Sequence, residues 1–429
     1  MHIVPAAMMI HLLCFIDRSN IGNAKVLNRD EGDSLEQTLH ITNQQYLIAL
    51  MVFIVAFTIV QTPSNYMLKR FRPSRWMALM MFCWGVIPCS RLTMLLASVR
   101  NFGGLVAVRF LLGAFESGLF PGQVYILTFW YRPEERAIRI AVIVACSSLG
   151  GAFGGAIAFA IGRLDGVAGL EGWRWLFLLL GIPSCIAAIL CALFFPDYPE
   201  TVSWLSGEER ELATRRIRGV ASLGHDKITW KEAKATLVDW RLYAHYVAYI
   251  SNSVPFSSIS LFAPTTVAGP GYKGPDAQLF TVPPYAIGFV VTVTVAWLAD
   301  RYEKRSIATF CSMLVAGVSF IIQGALPADA FKARYVFLCF GLSFSFACIP
   351  PSLSWLTAKL RSTGAMTLAV PLSVAFGQLG QIIGVYIYQD SEAPGFPTGH
   401  FTNAGFLLEG AVIVMCLRRL GPHEREWRL

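Results

Sequence analysis

Charge is what this chain has least of. Asp, Glu, Lys and Arg make up 14% of its 429 residues while 55% are hydrophobic. A soluble chain of that size would have to expose large apolar patches, a penalty that a lipid-facing surface removes. Composition therefore excludes a soluble, disordered or fibrous protein and points to one embedded in the lipid bilayer. The ten cysteines form no Cys-x-x-Cys pair and no Cys/His cluster, so neither a disulfide framework nor a metal site is expected, and no cofactor. There is no Asn-x-Ser/Thr sequon and no glycine-rich phosphate loop ending in Gly-Lys-Ser/Thr. No nucleophile or metal set stands inside the apolar runs, and His11 and His245 are isolated, so an enzyme is not expected. The N-terminal stretch lacks the basic segment of a signal peptide, and Asp17 and Arg18 interrupt it where a cleavage site would fall. The net charge of +8 would suit a nucleic-acid partner, but the basic residues sit in short clusters between apolar runs rather than along one face, so none is expected.

Long apolar runs are what the chain does have. A hydrocarbon core about 30 Å thick takes roughly 20 residues of helix. That ruler cuts the sequence into residues 3–24, 44–66, 76–97, 102–130, 138–162, 174–195, 242–268, 277–299, 306–326, 334–358, 365–388 and 401–417. The expected fold is an all-α membrane protein of twelve transmembrane helices. The last span is marginally short, and Glu409 within it is expected to be half-exposed. The longest hydrophilic stretch divides the chain into an N-terminal six-helix half (1–195), a central loop (196–241) and a C-terminal half with a short tail (242–429). Inside the loop, Ser206 followed by Glu208, Glu209 and the run to Arg218 reads as a capped surface helix. The loops hold 23 Lys and Arg on one side and 8 on the other, which predicts both termini and the central loop in the cytoplasm.

The halves echo each other. The basic loop Lys69–Arg75 after the second span corresponds to Asp300–Arg305 after the eighth, and the glycine-rich Gly150–Gly155 corresponds to Gly377–Gly384. Small residues at matching positions allow close helix contact and mark two pseudo-repeats, the plan of a repeat-built transporter.

Ionisable residues deep in a span cost about 2.5–3.5 kcal/mol each on insertion scales, so those present need a partner or a wet cavity. Asp17 and Arg18 lie in the first span, and Arg109 and Glu116, two turns apart on one face, lie in the fourth, with Gly113 between them expected to keep that face open. A guanidinium cannot deprotonate and binds carboxylates bidentately, so Arg18 is the candidate for holding an anionic substrate. Asp17 and Glu116 are candidate proton carriers; the alternative is that Asp17 pairs with Arg18 or Arg109 and only fixes packing. Arg109, with Asp300 and Arg301 after the eighth span, is assigned to conformational coupling. Tyr46, Asn252 and Gln378 are candidates to line a cavity, with Gln123 alongside. Pro255 and Pro264 in the seventh span, Pro283 and Pro284 opening the eighth, and Pro350 and Pro351 in the tenth are expected to break backbone hydrogen bonds where helices move.

Six ordered motifs run along the chain: Phe15–Lys25; Pro63–Asn65 with Leu68–Trp76; Arg109–Gly122; Gly172–Trp175; Thr281–Tyr285; and Ala296–Arg301. Over essentially its whole length the sequence resembles the fungal allantoate permease branch of the major facilitator superfamily, within the anion:cation symporters. The resemblance implies proton-coupled uptake of a small organic anion, allantoate, nicotinate or a similar carboxylate, by alternating access. It places proton and substrate positions at Asp17, Arg18 and Glu116. The expectation is a monomer in the plasma membrane with the proton as its coupling ion. Two other readings stay open: export of a secondary metabolite on the same fold, and a nutrient sensor that binds without transporting. Relatives carry a longer N-terminal tail and a slightly longer loop where this chain has Lys359–Gly364.

Overall fold

The computed structural model describes residues 3–89, 99, 101–131, 133–200, 202, 205–217, 234, 237–267, 278–359 and 363–420. The far end of the expected third span, with Arg91, and most of the second half of the central loop lie outside them. Every regular element among the described residues is helical.

Twelve long elements follow in order: α1 (Ile3–Val26), α2 (Asn43–Arg70), α3 (Pro73–Cys89), α4 in two pieces, α4a (Phe102–Glu116) and α4b (Leu119–Trp130), α5 (Pro133–Ile161), α6 (Gly172–Phe194), α7 (Trp240–Val267), α8 (Val282–Arg301), α9 (Arg305–Ala325), α10 in two pieces, α10a (Phe331–Ala347) and α10b (Ile349–Lys359), α11 (Thr363–Tyr386) and α12 (Pro397–Leu420). Each covers one apolar run. Eight stretches among the described residues are long and apolar enough to cross a membrane by that measure alone, from Asn43–Gln61 of α2 to Pro397–Leu420. The others fall short for legible reasons. α1 carries Asp17, Arg18 and Lys25, α3 is described for 17 residues, α7 contains five serines with His245 and Asn252, and the apolar part of α11 is the shorter stretch Leu372–Tyr386.

Three expectations need correction. The last helix is 24 residues long, because Pro397 starts it a turn early and Arg418 and Arg419 extend it past the apolar run. Glu409 on it is exposed. The prolines also differ in effect: Pro255 and Pro264 each remove a backbone donor inside α7 but the helix continues through them, and Pro283 and Pro284 sit in the first turn of α8, where no N–H is missed. Only at Pro350 and Pro351 does a break form, with Cys348 between the two pieces of α10. The surface helix of the loop spans Gly207–Ile217. Its start is a reciprocal cap: the Ser206 N–H donates to Glu209 Oε2 at 3.0 Å and the Glu209 N–H donates to Ser206 Oγ at 3.3 Å. The Ser206 N–H, together with the Ser206 hydroxyl beside it, holds the exposed Glu209 carboxyl below its ordinary range.

Packing follows the sequence echo. In the first half α1 packs on α5, α2 on α4a and α3 on α6; in the second half the equivalent pairs are α7 on α11, α8 on α10a and α9 on α12. The halves are joined by α5 on α8 and by α2 on α11, themselves an equivalent pair, and by α1 on α7. Glycine makes the tightest of these possible. A Cβ at Gly384 of α11 would stand 2.5 Å from the Val254 carbonyl oxygen of α7, and one at Gly150 of α5 would stand 3.2 Å from the Leu12 carbonyl oxygen of α1. Most side chains on the outer flank, such as Leu193, Phe194, Val290 and Val412, are exposed, which is the surface a bilayer would cover.

Candidate functional site

The face of α1 that carries His11, Cys14, Arg18 and Lys25 repeats at three, four and seven residues, so it turns one stripe toward the interface between the halves. Along that stripe His11 meets Ser147 of α5 at 2.9 Å, and the Cys14 thiol donates to Glu116 Oε2 of α4a at 3.5 Å. Arg18 donates to Gln381 Oε1 of α11, a contact that crosses between the halves.

Arg18 has company. Arg109 of α4a is 2% exposed, and both guanidinium carbons lie over the Phe53 ring of α2, at 5.6 Å for Arg18 and 5.8 Å for Arg109. With Leu50, Ile54 and Leu261 these three residues line a cavity of about 10 Å³, room for roughly one water. Nε and Nη2 of Arg109 have no hydrogen-bond partner, and among the described residues neither arginine forms an ion pair. A buried guanidinium short of acceptors is costly, so Arg109, with Arg18 held only by an amide oxygen beside it, makes this cavity a site that an anion would complete. Gly113 does not leave the face of α4a open as its sequence position suggested. It lets the α2 backbone in, since a Cβ there would stand 3.0 Å from the Phe53 carbonyl carbon.

The remaining candidates divide. Glu116, 2% exposed, shares the α1 stripe with Arg18 through Cys14, one turn away. Asp17 is next to Arg18 in sequence but about 100° around the helix, half-buried beside Trp84 of α3 and Ser184 of α6, with Oδ2 unbonded. Tyr46 donates its hydroxyl to the Ile21 carbonyl at 3.1 Å, which commits it to joining α2 to α1. On the opposite half, Asn252 accepts from the Cys348 thiol at 2.6 Å at the break in α10, and Gln378 is buried with Oε1 unbonded. Gln123 is buried in α4b with both amide atoms unbonded. Asp300 is far along α8 and pairs with Arg305 at 2.9 Å rather than with Arg301, which is exposed; Arg305 also reaches the Ser354 carbonyl of α10b at 3.5 Å. His245 packs against the Trp355 ring at 4.3 Å. No group of three or more potential metal ligands occurs among the described residues.

Sequence reasoning missed Phe53, Leu261 and Gln381. Gln381 had a signal, a second amide three residues after Gln378 in a glycine-rich helix. Phe53 and Leu261 look like any apolar residues, and only the packing of α2 and α7 against α1 brings them to the arginines.

Comparison with known proteins agrees with this architecture. The family model described as the Major Facilitator Superfamily matches residues 7–385. The chain belongs to that superfamily. It is 51% identical to the MFS transporter prlL of Fungal sp. (strain NRRL 50135), over 97% of this chain and 84% of that one. It is 31% identical to the MFS-type transporter cnsO of Penicillium expansum, over 96% and 80%. In fold it is similar to a partially occluded, inward-open structure of the xylose transporter XylE from E. coli, with a TM-score of 0.71 at 15% identity over 100% of this chain and 99% of that one. The protein is therefore an integral membrane transporter for a small molecule and not an enzyme. Its twelve helices are the superfamily's fold.

Proposed function

We propose that this transporter is a secondary active carrier that couples protons to the uptake of a small organic anion, a carboxylate of the size of allantoate or nicotinate, at the plasma membrane with both termini cytoplasmic. The observation that carries the reading is the pair Arg18 and Arg109: a half-buried and a buried guanidinium on one cavity, neither in an ion pair among the described residues. A carboxylate would supply the missing acceptors, and Phe53 would hold both cations from below. The cavity is too small for such a ligand in this state, so binding requires the halves to part, as alternating access demands.

Glu116 is the proton carrier in this scheme, with Asp17 as a second. Glu116 is on the arginine face, so its charge competes with the substrate's for the same two cations. Loading a proton on Glu116 frees the arginines for the anion, which is a direct physical form of coupling. The Asp300–Arg305–Ser354 contacts tie α8, α9 and α10b into one body that moves together.

Uptake of a panel of labelled carboxylates into cells expressing the protein, at two external pH values, tests the proposal. Accumulation should rise at the lower pH for at least one compound. Glu116→Gln should abolish that pH response while exchange of internal for external substrate continues. If no carboxylate accumulates although the protein reaches the membrane, the reading fails, and an unchanged pH response in the variant removes Glu116 from the coupling.

A further inference from the structure

The second cation on the α1 stripe is Lys25, two turns beyond Arg18 toward the mouth opposite the chain termini. Its ammonium is fully buried and fully used. Nζ donates to Asn43 Oδ1 at 2.9 Å and to both carboxylate oxygens of Asp390 at 3.0 Å, and Glu36 Oε1 is 3.4 Å away. The rings of Tyr46 and Phe262 flank it at 4.9 and 6.0 Å.

These partners fall into two sets. Asn43 begins α2 and Glu36 lies in the short helix Leu35–Thr38, so both belong to the same half as Lys25. Asp390 stands in the turn between α11 and α12, in the other half. One ammonium thus ties the halves together at this mouth. Other contacts close the same mouth: Gln278 donates to the Asn23 carbonyl at 3.3 Å, and the Tyr386 hydroxyl meets Met51 Sδ at 3.4 Å. A solute coming from this side would have to pass Lys25 to reach Arg18.

We propose that Lys25 and Asp390 form the latch that keeps this mouth shut, and that opening it transfers Lys25 entirely to Glu36 and Asn43. The use of the latch in transport rests on the alternating-access reading above; the closure itself does not. The arrangement suits a reversible contact. Stripping a buried ammonium of every acceptor would be prohibitive. Here two acceptors travel with Lys25, so its charge is never left alone. The Asp390 side chain is 29% exposed, and water can solvate it as it leaves. Separating the halves therefore breaks one half of a shared pair and strands neither charge, as expected of an element with two stable arrangements.

The test reads access to the cavity and needs no substrate. The ten native cysteines are replaced, Leu50→Cys is introduced in the cavity wall, and a membrane-impermeant maleimide is applied from each face in right-side-out and inside-out vesicles. Asp390→Asn should raise labelling from the Lys25 side about tenfold, the effect of shifting the open state by one decade. Glu36→Gln, which removes an acid from the same lysine but within one half, should change it less than twofold. Asp390→Glu, which keeps the charge, should restore slow labelling and so ties the effect to the carboxylate. Equal effects of Asp390→Asn and Glu36→Gln, or no effect of Asp390→Asn, would overturn the latch. Failure of the transport reading would show separately, as absent uptake with labelling still latch-dependent.

Discussion

Lys25 and Arg18 are two cations on one face of one helix, two turns apart, and they are treated in opposite ways. Around Lys25 the fold supplies two carboxylates, an amide oxygen and two aromatic faces. Around Arg18, and Arg109 beside it, it supplies an aromatic face and one glutamine, with no ion pair among the described residues. A cation whose acceptors are all present is a structural or gating element, since nothing can bind it without displacing something. A pair of cations left short of acceptors beside a cavity is a binding element, because a ligand completes it. The chain builds its contact between halves from the first kind and its centre from the second.

The largest effect is expected at the centre. If the substrate is the anion proposed above, Arg18→Ala should weaken its binding by about 30-fold or more, the scale expected when one partner of a charge contact is removed. Arg109→Ala separates two roles. If Arg109 is a ligand group, as its open Nε and Nη2 indicate, KM rises about tenfold; if it only relays motion, turnover falls at unchanged KM. Transport kinetics on both variants check this, and unchanged affinity in Arg18→Ala would end the distinction drawn here.

Gln381 offers a smaller and sharper probe. It occupies Arg18, so an anion bound there as proposed would displace it. Gln381→Leu removes that competitor and should tighten anion binding about threefold, the size of one net hydrogen bond. Weaker binding in the variant would instead make Gln381 part of the ligand's own shell. Equilibrium binding to purified protein decides between them.

How much of this was legible in the chain depends on the range of the contact. The spans, the pseudo-repeat and the Ser206–Glu209 cap were readable, because apolar run length, loop charge and a capping box are local signals. Arg18, Arg109 and Glu116 were readable as residues the membrane should have excluded. Their arrangement was not: no spacing rule says that Phe53 of α2 lies beneath both guanidinium groups. Lys25 was passed over because it stands at the edge of its span and counts as a loop charge, and its Asp390 partner is 365 residues away. Tyr46, read as a cavity residue, turned out to spend its hydroxyl on Ile21, which no spacing rule announces.

The smallest effect concerns the acid that stays with Lys25. Burial pushes the Glu36 carboxyl above its ordinary range; Lys25 opposes this and Asp390 adds to it. A raised folded value means that folding favours the protonated form. The contribution is then fully present below the unfolded value and is lost as pH rises through the folded one. At neutral pH the ionised Glu36 is thus a slight burden, and Glu36→Gln, which mimics the protonated acid, should leave the Tm unchanged or a little higher. As pH falls into the carboxylate range the two proteins should converge. Thermal unfolding of the purified protein across that range checks the sign. A variant markedly less stable at neutral pH would mean that Lys25 cannot rest on Asp390 and Asn43 alone, and that its saturation is a necessity of the fold.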